Sequence, residues 1–286
     1  MTRLSTVASG IVAMWVAVSS AAQPQVFRSA ADVVTVDVAV RDGNRPVASL
    51  AKADFVLLDN DVAQVIDSVS YGTLPIDVRL LVDLSGSISA DQLARHESAI
   101  RQLQRSLNGD DRCEVSTFAR RVTQVAALGP PPVATTFTRP QLDGTSYFDA
   151  ALLAMITAST PGRRQLTLLL TDGIDSASFY DEASLTDAAK RTDAVVNVLT
   201  AIDRNLPLPV EHRLESIAKP TGGRLLTIKR NDDIGPTLTK MVADFRQSYV
   251  LTYTPTRVAR DGWHAITVTA PGTKYAIRAR QGYFGG

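Results

Sequence analysis

The sequence predicts an α/β fold: a doubly wound, mainly parallel sheet inserted into a small all-β domain made from both chain ends. Three observations carry this. Between residues 76 and 245, short apolar runs alternate with segments of helical spacing, the pattern of successive β-α units. Leu166–Leu170 holds four leucines in five residues, as a strand buried on both faces does. At both ends of the chain the texture changes to period-two alternation, the mark of half-buried strands.

The elements follow in order. In the first strand Val34, Val36, Val38 and Val40 share one face, with Thr35, Asp37 and Arg41 on the other, and Asp42-Gly43-Asn44 supplies a turn. Phe55–Leu58 and Val65–Val69, joined through Asp59-Asn60-Asp61, read as a pair of strands. Val78–Val82 is a mostly apolar strand ending at Asp83, and a helix with Leu93, Ile100, Leu103 and Leu107 at helical spacing runs to the Asn108-Gly109 stop. Next come a strand at Cys113–Phe118, a helix at Ser146–Thr157, the Leu-rich strand, a helix over 181–192 and a strand at Ala194–Leu199. Val210–Ala218 is helical, Arg224–Ile228 is a strand and Asp233–Phe245 a last helix. Gly129-Pro130-Pro131-Pro132 reads as a loop. Tyr249–Tyr253, Ala265–Ala270 and Tyr275–Arg280 are strands, with Pro271-Gly272 as a turn. An antiparallel pair alone is marginal, so the two ends are expected to pack together, with parts at 23–74, 75–246 and 247–286.

The chain has 286 residues, enough for a core without disulfide staples. Its 30 basic and 29 acidic residues give a net charge of +1, so no basic excess points to nucleic acid. The single cysteine, Cys113, excludes an internal disulfide and a thiolate metal cluster, and reads as a small buried hydrophobe. The first residues read as a secretory signal: Arg3, an apolar stretch over Ala8–Val18, and Ser20-Ala21-Ala22 as the cleavage site after residue 22. That stretch is well short of the ~20 residues a spanning helix needs, so no transmembrane helix is expected after cleavage. The expectation is an exported protein, periplasmic or at the cell surface.

Three segments carry chemistry: Asp83-Leu84-Ser85-Gly86-Ser87, Asp143-Gly144-Thr145-Ser146 and Thr171-Asp172-Gly173. Each sits in a strand-to-helix loop or at a helix start, and in an open parallel sheet such loops gather at the carboxyl edge. Asp83, Ser85, Ser87, Thr145 and Asp172 therefore converge although they are up to 89 positions apart. Two carboxylates and three hydroxyls are hard oxygen donors, suited to Mg²⁺, with Mn²⁺ or Ca²⁺ as alternatives, rather than to Zn²⁺ or Cu²⁺. Three neutral hydroxyls with only two acids leave the ion incompletely neutralised, ready for one more carboxylate from a partner. Gly86 and Gly144 permit tight turns around it. Gly86, Ser146, Gly173 and Asp175 are the candidate ligand-binding rim, Asp175 being read as solvated or as supporting the primary ligands.

With these residues in place, the chain resembles a von Willebrand factor type A domain over residues 75–245. Asp83-x-Ser85-x-Ser87, Thr145 and Asp172 are similar to that family's metal-ion-dependent adhesion site. The resemblance implies that the serines and threonine contact the metal, that the aspartates act directly or through water, and that a ligand acid fills the open position. It also implies a shift of the last helix between low- and high-affinity states, which no residue pattern in the sequence itself shows. The first strand, Asp54-Phe55, Gln247–Tyr253 and Arg280–Phe284 resemble more loosely a von Willebrand factor A-related family of secreted bacterial proteins, a likeness that bears on architecture more than on function.

Blander readings stand beside these. Ser85 and Ser87 are also favoured helix caps, and Asp172-Gly173 an ordinary turn. An enzyme is not expected: the sequence around Ser85 is not a Gly-x-Ser-x-Gly elbow, and no phosphate loop with Lys occurs. His96 is read as solvated on its helix, and His212 and His264 as remote. Asp42-Gly43-Asn44 and Asp59-Asn60-Asp61 lack the acidic count of a calcium loop. Trp263 and His264, with Tyr249 and Tyr253, are read as β-domain packing. The expected function is metal-dependent protein–protein binding through an Asp or Glu carboxylate of the partner. A metal-independent scaffold of the cell envelope and an unrecognised hydrolase stay open as alternatives.

Overall fold

In the computed structural model the described residues are 33–86, 89–138, 141, 143–157, 160–202, 205–229, 232–270 and 275–285. The expected signal segment 1–22, Ser87 and the Pro271-Gly272 turn lie outside them. Fifteen strands and five α-helices are described. Strands β1 (Val34–Asp42), β2 (Arg45–Pro46), β3 (Val56–Asp59), β4 (Val62–Gln64) and β5 (Ile66–Tyr71) come first. The α/β part follows as β6 (Ile76–Asp83), α1 (Ala90–Arg105), β7 (Arg112–Phe118), β8 (Val122–Gly129), α2 (Tyr147–Ile156), β9 (Arg164–Leu170), α3 (Glu182–Arg191), β10 (Val195–Ala201), α4 (Leu208–Ala218), β11 (Leu225–Ile228) and α5 (Ile234–Arg246). The chain ends with β12 (Tyr249–Tyr253), β13 (Gly262–Thr269), β14 (Ala276–Ala279) and β15 (Gly282–Gly285).

The central sheet has the order β11-β10-β9-β6-β7-β8. All its pairings are parallel except β7 with β8. Strand β6 is the axis, and its alternation assigns the two faces. Ile76, Val78, Leu80 and Val82 pack with Ile100 and Leu103 of α1 and Leu238 and Met241 of α5. Leu81 points the other way, toward Tyr147, Ala150 and Ala154 of α2 and Leu185 of α3. Helix α1 is capped by Ser89, which the sequence reading did not name: Ser89 accepts the Gln92 amide and the Gln92 side chain returns to the Ser89 amide.

Two antiparallel sheets flank this layer, β14-β1-β12-β5 with β2 beside β1, and β15-β13-β3-β4. Both mix strands from the two chain ends around a shared core of Val36, Val38, Leu57, Tyr249 and Leu251. Two readings of the sequence change here. Strand β3 pairs with β4 and with β13, whereas the strand expected at Val65–Val69 crosses to pair with β12. The tight turn at Asn60 and Asp61, both at positive φ, closes the hairpin earlier than expected. Strand β8, read as no element at all, is an edge strand whose half-exposed, mixed side chains carry no clean period.

The same cores reassign some histidines and acids. His96 is half-buried in α1, not solvated, and burial holds its imidazole below the ordinary range. Asp59, taken as part of a surface turn, is fully buried, accepting from Tyr253 Oη at 2.9 Å and Tyr283 Oη at 3.0 Å, with His264 Nδ1 at 2.8 Å. Cys113 is buried and its thiol is pushed up to about 12 by burial and by Glu114, as an inert core position requires.

At the start of β6, buried Asp77 accepts from Arg112 Nε at 2.8 Å, Arg163 Nε at 2.6 Å and Gln165 Nε2 at 3.1 Å. Burial alone would raise this carboxyl, but the donors outweigh it and hold it at about 2, below its ordinary 3.8. A depressed pKa adds stability that is full above 3.8 and is lost as pH falls toward 2. Urea titrations across that window should show a loss of roughly 2 kcal/mol that is missing in Asp77→Asn. The variant itself should be destabilised by about 3 kcal/mol at neutral pH, because two guanidinium groups lose their counter-charge.

Candidate metal centre

The carboxyl ends of β6, β7 and β9 bring the three chemistry-bearing segments to one edge of the sheet. Asp83 ends β6, in register with Phe118 of β7, and Val82 is in register with Leu170 of β9. Asp172 therefore emerges beside Asp83. Thr145 reaches the same edge from the other side: the Ser146 amide donates to Ala119 O at 2.7 Å, just past β7. The loop after β9 clasps Thr145 in turn. The Thr145 amide donates to Ser176 Oγ at 3.0 Å, and its carbonyl accepts from the amides of Ser176 at 2.9 Å and Ala177 at 3.0 Å.

Within this cluster Asp83 is held on both oxygens. Its Oδ1 accepts the Ser85 amide at 2.9 Å and its Oδ2 accepts the Thr171 hydroxyl at 2.8 Å. Burial pushes its carboxyl up, the hydrogen bonds from Ser85 and Thr171 resist, and the neighbouring Asp172 pushes it up further. Asp172 is exposed, with Oδ1 accepting the Ile174 amide at 3.0 Å. Among the described residues neither aspartate has an ion-pair partner, and the Thr145 hydroxyl makes no hydrogen bond. Two adjacent carboxylates without an ion-pair partner among the described residues, with the Ser85 hydroxyl on Asp83 and Thr145 on the loop clasped after β9, offer oxygen donors of the kind a divalent ion takes. No cluster of three or more His, Cys, Asp or Glu side chains occurs among the described residues, so any ion here relies on neutral oxygens as well.

The candidate rim divides. Gly86 is exposed at φ 70°, with open space around its α-carbon. Ser146 is buried and spends its hydroxyl on Arg120 O at 2.9 Å, so it fastens α2 to the end of β7 and offers nothing to a ligand. Gly173 is also buried: a β-carbon there would meet Val210 at 2.7 Å, so its role is the close approach of α4. Asp175 is neither free nor near solvent alone. Its Oδ2 accepts the Phe148 amide at 3.1 Å and the Ser178 hydroxyl at 2.5 Å, which caps α2.

Sequence reasoning passed over Thr171, Ser176 and Asp149. Thr171 stood in the quoted Thr-Asp-Gly segment, and its strand-end position next to Asp172 was the available signal. Asp149 accepts the amides of Phe179 and Tyr180, each at 3.0 Å, a loop-to-helix contact that no local pattern announces.

No protein-family model matches the sequence and no curated protein matches it. Solved structures do. Proximal thread matrix protein 1 from the mussel byssus, in a form with a zinc-occupied MIDAS motif, is 15% identical with a TM-score of 0.51. The match covers 67% of this chain and 50% of that one, so the present chain spans about half the mussel protein. A von Willebrand factor type A protein from Catenulispora acidiphila is 11% identical at TM-score 0.48, covering 89% of this chain and 75% of that one. BatB from Bacteroides thetaiotaomicron is 15% identical at 0.45, covering 59% and 98%. With its sheet order, its helices on both faces and this likeness, the chain has the von Willebrand factor type A fold.

Proposed function

We propose that the protein binds a divalent cation at the carboxyl edge of the central sheet and through it captures a carboxylate of a partner protein, with no reaction catalysed. The carrying observation is the meeting of Asp83, Asp172 and Thr145 at one edge, with two carboxylates that lack a counter-charge. Asp83 and Asp172 supply charge, Ser85 and Thr145 neutral oxygens, and Ser87 belongs to the same set on the sequence motif. Thr171 and the Ser85 amide fix the Asp83 carboxylate, so little ordering remains to be done on binding. A bound ion would supply a Lewis-acid position for one partner carboxylate. Mg²⁺ suits the oxygen donors best, and the zinc in the mussel protein's motif places Zn²⁺ among the ions to be tested.

Export is part of the proposal, supported by the charged and then apolar residues 1–22. Among the described residues no helix is long and apolar enough to cross a membrane. The binding reading over a catalytic one is supported by the histidines: His212 is exposed on α4, and His264 pairs with Asp59 in the flanking sheets.

Thermal unfolding with EDTA and with millimolar Mg²⁺, Mn²⁺ or Zn²⁺ tests the site. An ion at 100 times its dissociation constant adds about 2.7 kcal/mol. For a chain of this size that raises Tm by roughly 5–10 °C. Asp83→Asn and Thr145→Ala should abolish the rise. Absence of any rise with every ion would sink the metal reading and leave a metal-independent scaffold. Ser146→Ala separates support from ligation: it should cost about 1 kcal/mol of stability through the lost Arg120 contact and lower Tm accordingly, with the increment from metal unchanged. Proteins retained from an envelope extract on the immobilised chain should elute with EDTA, and none should be retained by Asp83→Asn.

A further inference from the structure

Nine large apolar side chains are exposed among the described residues, and three of them fall in one short loop beside the metal edge. Ile174 is 55% exposed, Phe179 88% and Tyr180 48%. A phenylalanine this open normally signals a contact surface or a mobile loop. This loop is firmly built. Asp149 accepts the amides of Phe179 and Tyr180, the Asp149 amide donates to Ser178 Oγ at 3.2 Å, and that hydroxyl donates to Asp175. Asp175 also takes the Phe148 amide, and Ser176 takes the Thr145 amide. The two rings meet edge to face at 5.3 Å, which orders them further. The fold thus holds an aromatic pair outward without an intramolecular partner that would bury it, and such pre-organised aromatics dominate binding energy when covered.

Its distance from the metal edge is bounded by the chain. Phe179 lies three residues from Ser176, so their α-carbons are within about 11 Å. Ile174 lies two residues from Asp172, within about 7 Å. The acids nearest the patch, Asp149, Asp175 and Asp181, are fixed by backbone amides and keep their negative charge, so it is a cation at the sheet edge that has to draw in an incoming acid.

We propose that Ile174, Phe179 and Tyr180 form an apolar subsite next to the metal edge. The occupant is then a protein segment whose Asp or Glu has an aromatic or branched aliphatic residue two to four positions away. An extended segment advances about 3.3 Å per residue, so two to four residues reach about 7–13 Å from the acid, comparable to the chain bounds of Ile174 from Asp172 and of Phe179 from the Thr145 clasp at Ser176. This inference rests on the metal-site reading above and adds the second half of the recognition rule.

Selection of a displayed library of random linear peptides on the full chain in Mn²⁺, with elution by EDTA, tests it. The expected pool shares an acid with an apolar residue two to four positions away. Synthetic copies should bind Phe179→Ser and Tyr180→Ser at least 10-fold more weakly, with Phe179→Leu recovering part of the loss. Calorimetric Mn²⁺ binding should be the same in all three variants, which also reports that they are folded. A pool sharing only an acid, or peptides bound equally by Phe179→Ser, overturns the apolar subsite and leaves the metal reading standing. An empty EDTA eluate overturns the subsite too, and the Mn²⁺ titration then decides the fate of the metal reading: heat of binding retains it, none removes it.

Discussion

The parallel pairing of β6 with β7 on one side and β9 on the other is the constraint from which the rest follows. Seven residues of β6 are in register with each neighbour, and the strand is buried along nearly its whole length. Because the three strands run the same way, their carboxyl ends share one edge, and the residues that follow them have to turn there. Asp83, Asp172 and the loop carrying Thr145 meet for that reason. None of them needs to be near another in sequence.

The same strand carries an acid near each end, and their surroundings separate them. Asp77 sits among Arg112, Arg163 and Gln165, and stays ionised far into acid. Asp83 sits with two hydrogen-bond donors, a second carboxylate and, among the described residues, no ion-pair partner, and burial pushes its carboxyl up. The amino edge is therefore electrostatically complete and the carboxyl edge is left wanting a positive charge. That asymmetry, more than the hydroxyls, singles out one edge as a place for an ion. Serines and threonines at strand ends are common caps, whereas a half-buried carboxylate beside another, with no ion-pair partner among the described residues, is a standing electrostatic cost.

The flanking sheets are tied to the α/β layer by charge as well as by chain. Only Gln247 and Ser248 separate α5 from β12. Arg164 of β9 donates to Asp37 of β1 at 2.7 Å and to Ser248 Oγ at 2.7 Å, and lies 3.9 Å over the Phe245 ring. Asp244 of α5 pairs with Arg41 of β1 at 3.1 Å. On the other flank Arg191 of α3 stacks 3.9 Å over Phe284 of β15. Helix α5 is thus gripped at its carboxyl end by ion pairs and by a short connection. The strands from both chain ends act as a frame for the helix layer, and the candidate metal edge lies at the opposite end of β6 and β9 from the Asp77 and Arg164 contacts.

Much of this was legible in the sequence because local patterns dictate it. Period-two valines place β1, four leucines in five residues announce β9, and leucines at helical spacing announce α1. Apart from β8, the order of strands and helices over 76–246 and the three site segments follow from such signals, since burial and capping act on neighbours. What only tertiary structure decided concerns contacts between distant residues. The hairpin closing at Gln64 and the crossing of β5 to β12 depend on which exposed edge was available. The half-exposed side chains of β8 have no period to read. Ser146 and Gly173 look like rim residues in a string of letters, but the end of β7 and helix α4 bury them. The buried Asp59 and His264 pair spans 205 positions, and the clasp between Asp149 and the Phe179 loop spans 30. Local chemistry names the residues that hold charge, whereas packing decides which remain open to a ligand, because burial is a property of the whole fold.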